Sequence, residues 1–327
     1  MQMLLTNFRG DTMGIKALLT YNYGNEKMKE LEKLGYEIMF VDEKEVVYSQ
    51  ELSEVEVLIG YDPFKTLDIT KMKKLKWIQV SSVGIDQLPI EMVKEAKIIV
   101  SNNRGGYSIP MGEWIVLKIL EMLKNSSKFF DNQKKKLWKY DKSLLELYGK
   151  TVGFLGTGTI AKNAAKRLKG FDVNIFGSNT SGKDVEYFDR CFSSAQMDEM
   201  LNLSDIVVVT IPYTEDTYHM INNEMICKMK DGVYFINVAR GAIADEDALI
   251  KNLRNGKMMG AALDVFENEP LPEDSPLWDM NNVIITPHNS WISEKKDDRR
   301  YEIIYENMKN YIEGKEMRNV IDLNKGY

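Results

Sequence analysis

TVGFLGTGTIAKNAAKRLKG, residues 151–170, is the stretch from which the fold is read. An apolar run, Thr151 to Leu155, meets Gly156-Thr157-Gly158-Thr159-Ile160-Ala161, of the form G-x-G-x-x-A, and that loop opens an amphipathic helical pattern. Alone the motif is weak; a strand before it and a helix after it supply the context its physics needs. The first glycine permits a tight turn, the second lets the backbone approach a pyrophosphate, and the alanine lets helix and strand pack closely. The pyrophosphate is expected on the N–H groups at the helix start, so Gly156, Gly158, Thr159 and Ile160 are the first candidate ligands of a dinucleotide. The plain alternative is a glycine-rich strand–helix turn with no ligand.

The end of the next strand bears on which dinucleotide. In NAD-binding versions an acidic residue there accepts hydrogen bonds from the ribose 2′-OH. Here the strand Val173 to Phe176 runs into Gly177-Ser178-Asn179-Thr180-Ser181-Gly182-Lys183, with no carboxylate before Asp184. A carboxylate would repel a 2′-phosphate, whereas Ser178, Asn179, Thr180 and Lys183 offer donors to one. NADP is therefore favoured over NAD; the plain alternative is that these are ordinary turn residues and NAD is held through neutral contacts.

Outward from this unit the strand–helix alternation runs the length of the chain, which indicates α/β architecture with largely parallel sheets. Before it come KALLTY, YEIMFV, EVEVLIGY, LKWIQVSS and AKIIVSN as strands. PMGEWIVLKILEMLKN, residues 110–125, reads as a long apolar helix with proline at its start. A lysine-rich stretch follows to Lys150. After it come VNIFG, DIVVVT, VYFINV, GAALDV and NVIITP. A charged helix, about Glu294 to Glu313, is too polar for the second sheet and is expected to return to the first. The predicted architecture is two Rossmann-like domains. A dinucleotide-binding domain (104–290) is inserted into a discontinuous substrate-binding domain (1–103 and 291–327).

Composition narrows the class. Among 327 residues, 44% are hydrophobic and 28% charged, as in a soluble globular protein. No apolar stretch is long enough to span a membrane. The net charge of -6 gives no support for nucleic-acid binding, and Lys134-Lys135-Lys136 reads as a solvated helix face rather than a phosphate patch. Cys191 and Cys227 have neither metal-site spacing nor the number for a disulfide framework, so both read as reduced thiols in a cytoplasmic protein without a structural metal. The opening residues, MQMLLTNFRGDT, do not read as a signal peptide, and Met13 is a candidate alternative start.

Three further elements fall at predicted carboxyl ends of strands, where open α/β sheets bind ligands. They are Asn237-Val238-Ala239-Arg240-Gly241, Asp264-Val265-Phe266-Glu267-Asn268-Glu269-Pro270, and Thr286-Pro287-His288. His288 is one of only two histidines, and histidine is the side chain whose ordinary pKa suits proton exchange at neutral pH. Singly, each has a bland reading: a surface histidine, a salt-bridging arginine, an exposed glutamate. Together with the glycine loop, Pro212 after the VVVT strand, SSVGID at 81–86 and the terminal RNVIDL, the chain resembles the NAD(P)-dependent D-2-hydroxyacid dehydrogenase family.

The resemblance implies a role for each matching residue. His288 resembles the general acid/base that serves the keto oxygen. Glu269 resembles its carboxylate partner, which favours the imidazolium and fixes the ring. Arg240 resembles the guanidinium fork on the substrate carboxylate and carbonyl. Val83 and Gly84 resemble the backbone cradle for that carboxylate. Asp264 resembles a ligand on the nicotinamide side, and Thr210, Pro212 and Thr217 are expected to line the adenosine side, with Val238 and Ala239 also at the cofactor. The implied reaction is reduction of a small 2-keto acid to a D-2-hydroxy acid, or its reverse, by a homodimer whose arm is the 110–148 region. No regulatory C-terminal extension is expected, and the presence of Glu269 argues against formate-type specificity. The alternative is a nucleotide-sensing, corepressor-like binding protein with little turnover. Arg104 is a candidate contact for a second anionic group. Tyr107 and Trp291 are candidates for pocket or core, and His219 is expected to be structural.

Overall fold

The computed structural model describes residues 14–326, so the alternative start at Met13 lies outside the described residues. Two compact units divide them.

The first begins with β1 (Ile15–Leu19), α1 (Asn25–Lys33), β2 (Tyr36–Phe40), β3 (Val57–Gly60), β4 (Trp77–Val80), α2 (Ile90–Glu95) and β5 (Ile99–Ser101). Its five strands are all parallel, in the order β2-β1-β3-β4-β5. The strands are short apolar runs because both faces are covered. Ala17, Leu19, Val57, Ile59 and Trp77 enter one core cluster, and Leu18, Leu58, Ile78, Val80 and Val100 enter the other.

The second unit, residues 107–293, opens with α3 (Ser108–Leu123) and α4 (Ser126–Lys134). Helix α3 starts two residues before Pro110, which still stands in the first turn, where its missing N–H leaves no bond unmade. The lysine-rich stretch contains α4, entered through Asn125 in the left-handed region at φ 52°; of the helix face expected at Lys134-Lys135-Lys136, only Lys134 lies within it. The sheet follows as β6 (Thr151–Leu155), α5 (Thr159–Leu168), β7 (Asn174–Asn179), β8 (Arg190–Ser193), α6 (Met197–Leu203), β9 (Ile206–Val209), α7 (Asn223–Lys228), β10 (Val233–Asn237), α8 (Glu246–Arg254), β11 (Met258–Leu263) and β12 (Val283–Ile285). Its seven strands are parallel, ordered β12-β11-β10-β9-β6-β7-β8. The order reverses between β9 and β6, with the glycine loop at that switch point, where doubly wound sheets open a crevice. Strand β8, RCFS, was missed because only Phe192 of its four residues is buried.

The chain then returns to the first unit as α9 (Lys296–Ile312), which buries Tyr301, Ile304 and Met308 in the cluster under β1, β3 and β4. Spacings of three and four residues give this charged helix one apolar stripe, and each buried apolar side chain stabilises by about 1.5–3 kcal/mol. The units divide at 106/107 and 293/294, a few residues beyond the crossings expected from sequence. Among the described residues no helix is long and apolar enough to cross a membrane.

Candidate functional site

The glycine loop has the geometry its motif requires. Gly156 sits at φ 92°, and a Cβ there would stand 3.0 Å from Ile211 and 3.2 Å from Thr210 backbone. Gly158 precedes α5 and has nothing within 4 Å of where its Cβ would be, so a phosphate can approach the backbone. The first helical bond of α5 is Lys162 N–H to Gly158 O, which leaves the N–H groups of Thr159 and Ile160 to a ligand. Ala161 is fully buried. These features fit a dinucleotide pyrophosphate.

The flanking candidates divide into exposed groups and loop-builders. Asn179 and Thr180 lie at the end of β7, with Thr180 exposed. Asn179 Nδ2 donates to Thr157 Oγ1 (3.3 Å) and Lys183 O (3.0 Å), and its Oδ1 accepts from Ser181 N, so its side chain shapes the loop. Ser178 is buried, with its carbonyl holding Gly156 N–H. Thr210 Oγ1 lies 2.9 Å from Leu155 O and 3.1 Å from Gly156 O, bracing the glycine turn. Thr217 Oγ1 donates to Pro212 O at 2.9 Å and closes the 212–217 turn.

Arg240 leaves the end of β10 on a turn built by Asn237. The buried Asn237 side chain accepts from Ala239 N–H (3.0 Å) and donates to Arg240 O (2.9 Å). Val238 between them is buried and Ala239 half-buried. Next comes Gly241, where a Cβ would overlap the Phe266 carbonyl at 1.8 Å, so this turn touches the 264–270 loop backbone to backbone. The sequence reading did not single out Asn237 or the need for Gly241.

Asp264, after β11, is wholly buried. Its carboxylate accepts from Thr286 Oγ1 (2.5 Å), Asn289 N–H (2.8 Å) and Ser290 N–H (3.0 Å), and its carbonyl accepts from His288 N–H (2.8 Å). Asp264, expected as a direct ligand on the nicotinamide side, folds the loop that presents the histidine. That loop holds His288 at φ 49°, and Trp291 Nε1 donates to His288 O at 2.8 Å, with the Trp291 and Tyr107 rings packed edge to face.

His288 Nδ1 lies 2.8 Å from Glu269 Oε2. Burial pushes the Glu269 carboxyl up, but the His288 bond, the Phe266 N–H and the charges of His288 and Arg240 outweigh it and hold the group below the usual carboxylate range. Glu269 is then an acceptor only, so His288 Nδ1 carries the hydrogen and donates it. Nε2 makes no hydrogen bond among the described residues and is the nitrogen left for proton exchange. Arg240, Glu269 and His288 thus form one electrostatic group on the second unit. His219 stands elsewhere, its Nε2 3.0 Å from Glu267 Oε1 and its ring stacked on Tyr218.

In the first unit, the loop after β4 presents Val83 and Gly84. Asn102 Nδ2 donates to Val83 O (2.7 Å) and Ser82 Oγ to Gly84 O (2.6 Å), while among the described residues of the unit no acceptor takes the two N–H groups. That arrangement suits an anion. Asn102 had not been anticipated. Arg104 is exposed, and its backbone N–H is held by Asn102 Oδ1.

Comparison with known proteins bears on this geometry. The sequence model for the D-isomer specific 2-hydroxyacid dehydrogenase NAD-binding domain matches residues 116–290. A glyoxylate reductase of Thermofilum pendens is 37% identical over 240 residues, covering 72% of this chain and 71% of the relative. A D-3-phosphoglycerate dehydrogenase of Methanocaldococcus jannaschii is 32% identical over 94% of this chain, which spans only 60% of that protein's length. A D-isomer specific 2-hydroxyacid dehydrogenase from Xanthobacter autotrophicus Py2, solved in complex with NADPH and MES, superposes with a TM-score of 0.80 at 27% identity, covering 95% of this chain and 99% of that one. The chain belongs to the D-isomer specific 2-hydroxyacid dehydrogenase family.

Proposed function

We propose that this chain reduces a small 2-keto acid to the D-2-hydroxy acid, or runs the reverse, with NADP preferred to NAD. The observation that carries the reading is the His288–Glu269 pair, which fixes the imidazole by Nδ1 and leaves Nε2 without a hydrogen-bond partner among the described residues, beside the charge of Arg240. Gly156, Gly158, Thr159 and Ile160 would hold the pyrophosphate of a reduced nicotinamide dinucleotide, which when bound would supply a hydride to the carbonyl carbon. Arg240 draws electron density onto the carbonyl oxygen, and the C=O π bond opens as that oxygen takes a proton from His288 Nε2. Oxidation returns the proton to the same nitrogen. The N–H groups of Val83 and Gly84 offer the substrate carboxylate its anchor. Asp264, Asn237 and Thr210 act through the loops they fold. The carboxylate-free run 177–183 supports NADP, because Thr180, Ser181 and Lys183 present donors rather than negative charge. A homodimer is supported by the exposed apolar surface past α3, where Phe130, Leu137, Trp138 and Tyr140 are 57, 53, 94 and 85% exposed.

The test is oxidation of NADPH, and separately NADH, with glyoxylate, hydroxypyruvate and pyruvate, for the parent and His288→Asn. NADPH turnover that falls by about 10²–10⁴-fold in the variant is expected, the usual range for loss of a general acid. Tight nucleotide binding with no turnover on any of the acids would replace the enzyme by a nucleotide sensor. Preference for NADH would overturn the reading of 177–183.

A further inference from the structure

Glu267 has no part in the reaction above, yet it joins the two loops that carry Arg240 and Glu269. Its backbone N–H donates to Glu246 Oε2 at 2.9 Å, and its own Oε1 accepts from Glu246 N–H at 3.0 Å. Glu246 is the first residue of α8, so the Glu267 carboxylate lies at a helix N-terminus, where negative charge is favoured. The same Oε1 stands 3.0 Å from His219 Nε2, a close polar contact whose alignment falls short of a hydrogen bond. His219 is held in turn: its backbone N–H bonds Ala242 O at 2.8 Å, at φ 47°. Phe266 N–H, one residue before Glu267, donates to Glu269 Oε1 at 3.1 Å.

The connections form a closed path. The 237–246 segment carries Arg240 and reaches Glu267 through Glu246. The 264–270 loop carries Glu269 and is fixed at both Phe266 and Glu267. His219, on a third segment, bonds the first segment through its backbone and faces the second through its ring. Gly241 against Phe266 closes the gap between them with no side chain to yield.

We infer that His219 is a positioning residue: through Glu267 it sets the 264–270 loop, and so the place of Glu269 beside His288 and Arg240. This rests on the proposed roles of Glu269 and His288. Removing the ring leaves Glu267 held by α8 alone, and the loop gains freedom at the residue two before Glu269. The rate of the chemical step falls while nucleotide binding, which depends on the separate glycine loop, does not.

The experiment compares His219→Ala, His219→Gln and Glu269→Gln, and the double variants of His219 with Glu269→Gln, in steady-state turnover of NADPH with the best acid from the panel. Nucleotide Kd and thermal midpoint are measured on each. His219→Ala is expected to lower kcat by about tenfold, a fraction of the cost of a 1 Å misplacement. KM for NADPH should be unchanged, and His219→Gln, whose amide can donate to Glu267, should recover part of the rate. In the Glu269→Gln background His219→Ala should cost little more, because both act on one unit. Unchanged kcat in His219→Ala overturns the inference, as does an equal loss with and without Glu269. A loss of kcat that merely follows a lowered thermal midpoint in both His219 variants also overturns it. Failure of the underlying reading shows separately, as Glu269→Gln with parental activity.

Discussion

Replacing Gly241 by alanine puts a Cβ 1.8 Å from the Phe266 carbonyl carbon, 2.1 Å from its oxygen and 2.3 Å from the Glu267 nitrogen. All three are backbone atoms, so no rotamer change relieves the overlap. Ordinary contact begins near 3.4 Å. The Arg240 turn and the 264–270 loop must therefore part by about 1.5 Å, and a displacement of about 1 Å costs on the order of 100-fold in rate. Overpacking of this kind also destabilises by about 1–3 kcal/mol. The assay is kcat for NADPH oxidation beside nucleotide affinity by fluorescence titration and a thermal melt. We expect kcat to fall by about 100-fold or more with the affinity retained, since Gly156 and Gly158 follow a different strand. Gly256→Ala is the control: φ is 81° but nothing lies within 4 Å of the new Cβ, so it strains the backbone by about 1–3 kcal/mol and leaves kcat alone. Parental kcat in Gly241→Ala would refute the argument that contact between these two loops sets the site.

Two other expectations follow from exposure and charge. Leu137→Ser with Trp138→Ser should convert a dimer to a monomer in sedimentation equilibrium at micromolar concentration; a parent that already sediments as a monomer sinks the arm assignment. Burial, and then the charges of Glu267 and Asp247, raise the Glu246 carboxyl despite the Glu267 N–H. The folded chain therefore holds a proton on Glu246 that the unfolded chain releases from about pH 4.3 upward. That linkage lowers stability as pH rises through the window up to the folded value. Glu246→Gln should thus melt increasingly above the parent as pH rises above about 4.3, and melting curves that stay parallel would contradict the assignment.

Much of the fold is legible because its signals are local. The apolar runs of β3 and β9 are continuous, and those of β1, β4 and β6 nearly so, since both faces of each sheet are covered, and the glycine loop carries its own backbone requirements. Arg240, Glu269 and His288 were named from motifs that fall just after strands. What stayed hidden depends on tertiary surroundings. Strand β8 shows too little apolar sequence to announce itself. Asn237, Asn102 and Glu246 act through hydrogen bonds to backbone groups, and such partners leave no periodic trace. Asp264 illustrates the same limit: the residue stands out in the sequence, but only the fold shows its carboxylate enclosed by Thr286, Asn289 and Ser290.

The return of α9 to the first unit has a consequence for the order in which the chain can acquire structure. The second unit is continuous, so all its strands have emerged once residue 293 is made. The first unit has its sheet residues early, but Tyr301, Ile304 and Met308, which cover Ala17, Leu19, Ile59 and Trp77, come last. Until α9 emerges, that side of the first sheet has only α1 over it, through Leu31, and presents the rest of its apolar surface to water and to neighbouring chains, the circumstance in which growing polypeptides aggregate. The part of the protein synthesised first is the part that must wait longest to close.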